Sequence, residues 1–157
     1  MKSRNKIIIP IIVCLAVIFI AGFFVAYFFK VGAVHVSINS GLEKRTITVG
    51  STKIPVEVAA TASEQKLGLS YRRSLAPNAG MLFPIIDPAQ TGFWMNGMNF
   101  PLDFIYFDQG RVVETKDHVS NFDLTPFFPN EAVDAVLEVN AGYVASHGIS
   151  VGDASDY

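Results

Sequence analysis

Three ionisable residues could together carry out acid–base chemistry. Asp103 lies within the apolar run LDFIYF, Glu138 lies within the alternating run AVLEV, and His118 follows an aspartate in a polar stretch. In a glycosidase, one carboxylic acid protonates the leaving oxygen while a second carboxylate acts as base or nucleophile. A histidine can move a further proton. The residue types therefore permit a hydrolase that uses Asp103 or Glu138 as acid or base, with His118 assisting.

Each of these residues also has a structural explanation, which we favour. Asp103 shares its strand face with apolar residues and needs a partner, either the guanidinium of Arg72 or Arg73 or a loop amide. A lone histidine in a loop is usually solvated. The sequence shows no glycine-rich phosphate loop and no histidine pair at metal-binding spacing, and its one cysteine, Cys14, lies in an apolar run. We therefore predict no metal and no cofactor.

A second group of residues is suited to binding rather than reaction. Trp94 lies two residues after Gly92, and Asn96 and Asn99 follow it two and five residues later. An indole ring flanked by amides can form the floor of a groove for a sugar or a peptide. Arg72 would adjoin this surface, with Asp103 positioning it. The alternative is that Trp94 and Met95 alternate in a strand and that one of them only packs in the core.

An apolar segment precedes everything that could do chemistry. Residues 7–29 contain no charge, and residues 1–6 contain three basic side chains. At about 1.5 Å per residue, such a helix spans a hydrocarbon core of roughly 30 Å. Because basic residues stay on the cytoplasmic side, residues 1–6 are predicted to be a cytoplasmic tail. Residues 30–43 would form a tether and residues 44–157 a domain outside the inner membrane, periplasmic or extracellular. Export after signal-peptide cleavage is the alternative.

The charge distribution excludes one class of partner. All 14 acidic residues lie after residue 30, together with 8 of the 12 basic residues, so this part of the chain has a net charge of −6. Nucleic-acid binding needs a basic face that displaces counterions from phosphates. We therefore predict no nucleic-acid partner, and we expect the lipid bilayer, contacted through residues 7–29, and a small-molecule, glycan or protein partner.

The pattern of short elements predicts a mainly β domain. Alternating runs separated by turn residues predict a hairpin over 45–59 and a second over 102–116. Thr61 and Glu64 form a capping box that opens a helix extending to Tyr71, with Leu67, Tyr71 and Leu75 on one face. A strand over 132–139 and a helix over 140–147 follow. We predict a small sandwich or barrel with one or two short helices, preceded by one transmembrane helix. An α+β fold is the alternative.

Five blocks of residues resemble a known family. They are TxxExxxGL from Thr61 with a following Arg72, GMLF at 80–83, FWM at 93–95, PLDFIYFD at 101–108, and LEVNAG with GIxxGD at 137–153. In this order they are similar to the bacterial and archaeal domain of unknown function 192 (DUF192). The resemblance implies a small mainly β domain that is often exported or membrane-attached and has no established activity. The chain departs from the family pattern at Ser70 and at Asn96–Met98.

The favoured function is a ligand- or partner-binding module of the cell envelope without catalysis of its own. Its binding residues would be Trp94, Asn96, Asn99 and Arg72. One alternative is a hydrolase of an envelope polymer that uses the three ionisable residues described first. Another is a structural subunit of an envelope assembly that docks through a loop containing Phe122, Phe127 and Phe128.

Overall fold

Six β-strands form one sheet in the computed structural model, which describes residues 41–85 and 92–157. The strands are β1 Glu43–Val49, β2 Thr52–Val58, β3 Gly80–Pro84, β4 Leu102–Asp108, β5 Arg111–Val119 and β6 Ala135–Asn140, and the helices are α1 Ala62–Leu67 and α2 Tyr143–His147. The strand order is β1-β2-β3-β6-β4-β5, in which only β2 and β3 run parallel. The mainly β class with two short helices is therefore confirmed.

The predicted cytoplasmic tail, the membrane anchor and most of the tether lie outside the described residues. Among residues 41–85 and 92–157, no helix is long and apolar enough to cross a membrane. The anchor over residues 7–29 therefore stays a prediction.

Both predicted hairpins are confirmed. In the first, β1 pairs with β2 in continuous antiparallel register from Glu43 opposite Val58 to Val49 opposite Thr52. In the second, β4 pairs with β5, and the two-residue turn uses Gln109 and Gly110, both with positive φ. A two-residue turn with positive φ at both positions matches the twist of the flanking strands. Glycine is favoured in such a turn because it adopts positive φ without a steric cost.

The C-terminal segment joins the two edges of the sheet at one end. Ala154 bridges to Arg111 at the start of β5, and Ser155 bridges to Val49 at the end of β1. The amide of Gly50 donates to the carbonyl of Ala154 over 2.8 Å. The C-terminal segment therefore connects β1 and β5, the two edge strands, at this end of the sheet.

The central strands of the sheet are buried on both faces. An inner core takes apolar side chains from all six strands and from α2. An outer core covers β3, β4 and β6 with the chain segments that follow β2 and precede β4. Burial on both faces explains why these strands consist of nearly continuous apolar runs rather than alternating ones.

The helices are shorter than the sequence predicts. The capping box of Thr61 and Glu64 is confirmed, but α1 ends at Leu67, before Gly68 with its positive φ, and does not reach Tyr71. The predicted apolar helix face is wrong, because Leu67 and Tyr71 are exposed while Leu69 is buried. Helix α2 begins at Tyr143, since β6 continues through Asn140.

Candidate ligand-binding cavity

A cavity of about 470 Å³ lies on the outer face of the sheet, between α1 and residues 92–98. We call it the Trp94 cavity. Its apolar wall includes Phe83 from β3, Leu102 from β4, and Phe93 and Met98 from the covering segment. Its volume falls within the range of about 300 to 1,000 Å³ that is usual for small-molecule sites.

Edge-to-face aromatic contacts hold one wall of the Trp94 cavity. The Phe93 ring lies 6.1 Å from Phe83 and 5.7 Å from Phe104, measured between ring centroids. Its backbone forms an isolated bridge with Phe127, in which each residue's amide donates to the other's carbonyl over 2.9 Å. Such ring geometry is favourable beyond simple area burial, so these contacts stabilise this wall of the cavity.

Trp94 and Met95 point in opposite directions. Met95 is fully buried in the outer core, whereas Trp94 is 45% exposed and lines the Trp94 cavity. Of the two residues that the sequence left open, Met95 is therefore the one that packs in the core. A half-exposed indole beside a cavity is available for contact with a ligand.

Glu138 is the buried acid of the Trp94 cavity. It follows Leu137 of the inner core in β6, so its side chain leaves the sheet on the outer face, where it lines the cavity and is 8% exposed. Within residues 41–85 and 92–157, its carboxyl group has neither a hydrogen bond nor an ion-pair contact. Burial raises the pKa of Glu138 to about 8, and the positive charge of Arg72 acts in the opposite direction. The group is therefore largely protonated at neutral pH.

Arg72, one of the partners that the sequence offered for Asp103, does not pair with it. The guanidinium Nη1 of Arg72 lies 2.5 Å from Glu57 Oε2, and the Lys44 ammonium lies 3.5 Å from the other oxygen, Glu57 Oε1. Arg72 lines a second cavity of about 470 Å³ together with Lys44 and Arg45. The structure thus places Arg72 and Trp94 at two different cavities.

Asp103 binds backbone amides instead. Its side chain is fully buried, and its two oxygens accept hydrogen bonds from the amides of His118 over 2.8 Å and Val144 over 3.0 Å. Val144 lies in the first turn of α2, where backbone amides lack partners within the helix. Asp103 therefore fastens the end of β5 and the start of α2 to strand β4. Its partners are backbone amides, as in the second alternative, but these amides lie in a strand and a helix rather than in a loop.

The three candidate catalytic residues do not share one site. His118 Nδ1 lies 3.9 Å from Asp103 Oδ1, and the histidine side chain is 67% exposed. Asp103 pairs in register with Val139, and Phe104 pairs with Glu138. Since successive side chains of a strand point to opposite faces, Asp103 and Glu138 lie on different sides of the sheet.

The two asparagines support the loop that carries Trp94 rather than the cavity wall. The Asn99 side chain donates to the Arg72 carbonyl over 2.8 Å, and the Asn96 carbonyl accepts from the Ser70 hydroxyl over 3.0 Å. Neither asparagine is among the described residues that line the Trp94 cavity. Their role in direct ligand contact stays a prediction.

Ser150 lies within a GxSxG pentapeptide, residues 148–152. In an α/β-hydrolase this pattern forms a nucleophile elbow between a strand and a helix. Here the pentapeptide instead follows α2, and the Ser150 amide donates to Asp153 Oδ2 over 2.9 Å in a turn. The local structure is therefore that of a helix end and turn. Among the described residues, no cluster of His, Cys, Asp and Glu could hold a metal ion.

The fold and the site define a small mainly β domain with a sheet covered on both faces and a lateral cavity. The chain belongs to the DUF192 family, whose model, described as "Uncharacterized ACR", matches residues 45–157. The family resemblance seen in the sequence is thereby confirmed. No protein of curated function matches the chain significantly.

Among the solved structures that are similar to this chain are two bacterial proteins. One is a protein of unknown function from Novosphingobium aromaticivorans, with a TM-score of 0.72 and 33% identity, covering 78% of this chain and 91% of that chain. The other is described as a putative transcription regulator from Sinorhizobium meliloti, with a TM-score of 0.69 and 30% identity, covering 73% of this chain and 94% of that one. Both likenesses extend over most of the described domain.

Proposed function

We propose that this protein is a binding module of the cell envelope that takes a small ligand, or a side chain of a larger partner, into the Trp94 cavity. The observation that carries the proposal is a cavity of about 470 Å³ that combines an apolar wall, a half-exposed indole and one buried carboxyl group. Apolar surface provides affinity, and a single fixed polar group provides orientation.

The polar groups around the Trp94 cavity support this proposal. Gln65 and Ser70 line the cavity, but the Gln65 side chain donates to the Pro84 carbonyl over 2.7 Å and the Ser70 hydroxyl to the Asn96 carbonyl. Glu138 is buried and lacks such a contact within the described chain. Because an unpaired buried polar group is costly, a ligand that pairs with Glu138 recovers part of that cost.

Ligand binding can be followed through Trp94, the single tryptophan of the chain. The full-length protein in detergent micelles would be titrated with short alkyl and aromatic compounds, and the tryptophan fluorescence recorded. Ala62→Phe should weaken binding, since Ala62 lines the cavity at the first turn of α1. Ser63→Phe is the matched control, because Ser63 is exposed on the same helix and does not line the cavity. Equal binding by both variants would refute the proposal.

The location in the envelope is a separate part of the proposal and rests on residues 1–29. An uncharged apolar stretch preceded by basic residues is typical of an anchor with its N-terminus inside. Protease added to intact spheroplasts should digest the domain and leave a cytoplasmic marker protein intact. A protected domain would contradict this location, and the mass of the mature chain would show whether residues 1–29 are removed.

A second candidate function, docking in an envelope assembly, is favoured by the exposure of two phenylalanines. Phe122 is 86% and Phe128 is 64% exposed, whereas Phe127 packs in the outer core 4.9 Å from the Phe104 ring. A photo-crosslinking residue at position 122 should then capture one envelope protein in cells, and the same residue at exposed position 51 should not. Crosslinking that is equal at both positions would exclude this function.

A further inference from the structure

We infer that the Trp94 cavity selects an apolar group bearing an uncharged carbonyl oxygen, and that the carboxyl group of Glu138 donates a hydrogen bond to that oxygen. The inference rests on the proposed function and names its ligand class. A tertiary amide, an ester or a ketone on an alkyl or aromatic body has this chemistry.

The geometry of Glu138 carries the inference. Its side chain is 8% exposed, lines the cavity, and has no hydrogen-bond or ion-pair contact in the part of the chain that the structure describes. The neighbouring wall is formed by Phe83, Leu102 and Met98, which offer no acceptor atom stronger than a thioether. A protonated carboxyl group in this position keeps an unused donor that faces the space where a ligand would lie.

The surrounding charges disfavour a cationic ligand. Lys66 of α1 lines the cavity, and the positive charge of Arg72 reaches Glu138 while its guanidinium is held by Glu57. An ammonium group beside Glu138 would therefore meet the positive charge of Arg72. Its own desolvation against the apolar wall would add a further cost.

The other side chains around Glu138 do not favour the loss of its proton. Tyr106 of β4 lies on the same face, and burial together with the negative charges of Glu114 and Glu138 raises its pKa, so the phenol stays neutral. Strand β3 places Met81 opposite Glu138, and residues 92–98 contribute Trp94 and Met98 to the cavity; none of these side chains titrates. Burial favours the neutral form of Glu138, which is the hydrogen-bond donor.

The test compares three probes that share a hexyl skeleton. They are N,N-dimethylhexanamide, which only accepts hydrogen bonds, hexanoate and hexylammonium. Binding to the full-length protein in micelles is measured by Trp94 fluorescence and by ligand-observed NMR. At about pH 6.5 the amide should bind about tenfold more tightly than either ion, as expected for one hydrogen bond to a buried donor. At about pH 9.5, where Glu138 is ionised, this preference should disappear.

Two variants distinguish the effect of the hydrogen-bond donor on binding from the effect of side-chain shape. Glu138→Gln keeps a donor of similar size, so it should retain the preference for the amide at both pH values. Glu138→Leu removes the donor and should lose the preference, by about tenfold in Kd. Circular dichroism and the melting transition of each variant would confirm that it is folded. If Glu138→Leu does not fold, the pH dependence of binding by the wild type and by Glu138→Gln still shows whether Glu138 is the hydrogen-bond donor.

The outcomes distinguish this inference from the proposed function. Tighter binding of hexylammonium or of hexanoate, or equal binding of all three probes, would overturn the inference. If Ala62→Phe still blocked the probes in that case, the cavity would remain a binding site of another specificity. Binding that neither Ala62→Phe nor Glu138→Leu affects would overturn both.

Discussion

Asp103 and Glu138 lie in neighbouring antiparallel strands, one register position apart, and their side chains leave the sheet on opposite faces. Asp103 is fully buried and accepts hydrogen bonds from two amides, whereas Glu138 lines a cavity and contacts no such partner within residues 41–85 and 92–157. Two acidic residues that are one register position apart therefore have different roles. One stabilises the fold, and the other is available for a ligand.

Replacing Asp103 should cost stability rather than ligand binding. Asp103→Ala leaves the part-buried amide of His118 and the buried amide of Val144 without their acceptor, so the free energy of unfolding should fall by about 1 to 3 kcal/mol. Urea unfolding followed through Trp94 fluorescence measures this change. Asp117→Ala is the control, because Asp117 is exposed in β5 and should change stability little. Equal stability of the two variants would show that the amide contacts do not stabilise the domain.

The raised pKa of Glu138 predicts a specific dependence of stability on pH. Its pKa rises from the ordinary value of 4.5 to about 8 on folding, so between these values the folded state holds a proton that the unfolded chain has released. The free energy of unfolding should therefore decrease as the pH rises through this window, by on the order of a few kcal/mol. Glu138→Gln lacks the titrating proton and should lose this component.

The comparison of wild type with Glu138→Gln at each pH isolates this contribution. Glu64, Asp123 and Asp156 have pKa values lowered by hydrogen bonds, but they titrate alike in both proteins. The stability of Glu138→Gln relative to wild type should increase from about pH 4.5 to about pH 8 and then level off. A constant difference over this range would mean that Glu138 does not take up a proton on folding.

Arg72 should lower the pKa of Glu138 without contacting its side chain. Arg72→Met removes a positive charge that lowers the pKa of Glu138, so this pKa should rise further. It also leaves Glu57 without the guanidinium 2.5 Å away. The titration of the Glu138 side-chain carboxyl carbon by NMR measures the effect. Arg73→Met is the matched control, since Arg73 is exposed next to Arg72; a similar shift in both variants would assign the effect to general charge.

Gly80 should tolerate no side chain. A Cβ atom at this position would lie 2.6 Å from Leu137 Cδ1 and 2.9 Å from the Glu138 carbonyl oxygen. Because β6 is packed on both faces and cannot move away, Gly80→Ala should destabilise the domain by about 1 to 3 kcal/mol. Thermal and urea unfolding would detect the loss. In Gly41→Ala, a new Cβ meets no atom within 4 Å, and this variant should unfold like the wild type.

Local pattern was sufficient to predict several elements of the fold. The two hairpins follow from alternating runs separated by turn residues, and the start of α1 follows from the capping box of Thr61 and Glu64. These features depend on residues a few positions apart. The end of α1 was placed too late because the spacing of Leu67 and Tyr71 suggested a continuing apolar face, while the backbone in fact turns at Gly68.

The candidate site was only partly predictable, because it depends on residues that are far apart in the sequence. The sequence singled out Trp94 and Glu138, but it assigned them to different hypotheses, one of binding and one of hydrolysis. It offered Arg72 as one possible partner of Asp103, whereas the structure pairs Arg72 with Glu57. The signal that was available for Glu138 is its position in a strand whose other residues are almost all apolar.

The sequence by itself determined the family, the mainly β class and the positions of the hairpins, because each depends on residue types and short spacings along the chain. Only the tertiary structure decided that Glu138 and Trp94 line one cavity while Asp103 is occupied by amides on the other face. That outcome depends on the register between β4 and β6, in which Phe104 lies opposite Glu138. A shift of one residue in this register would exchange the two faces, and no local pattern encodes that residues as far apart in the sequence as Phe104 and Glu138 will meet.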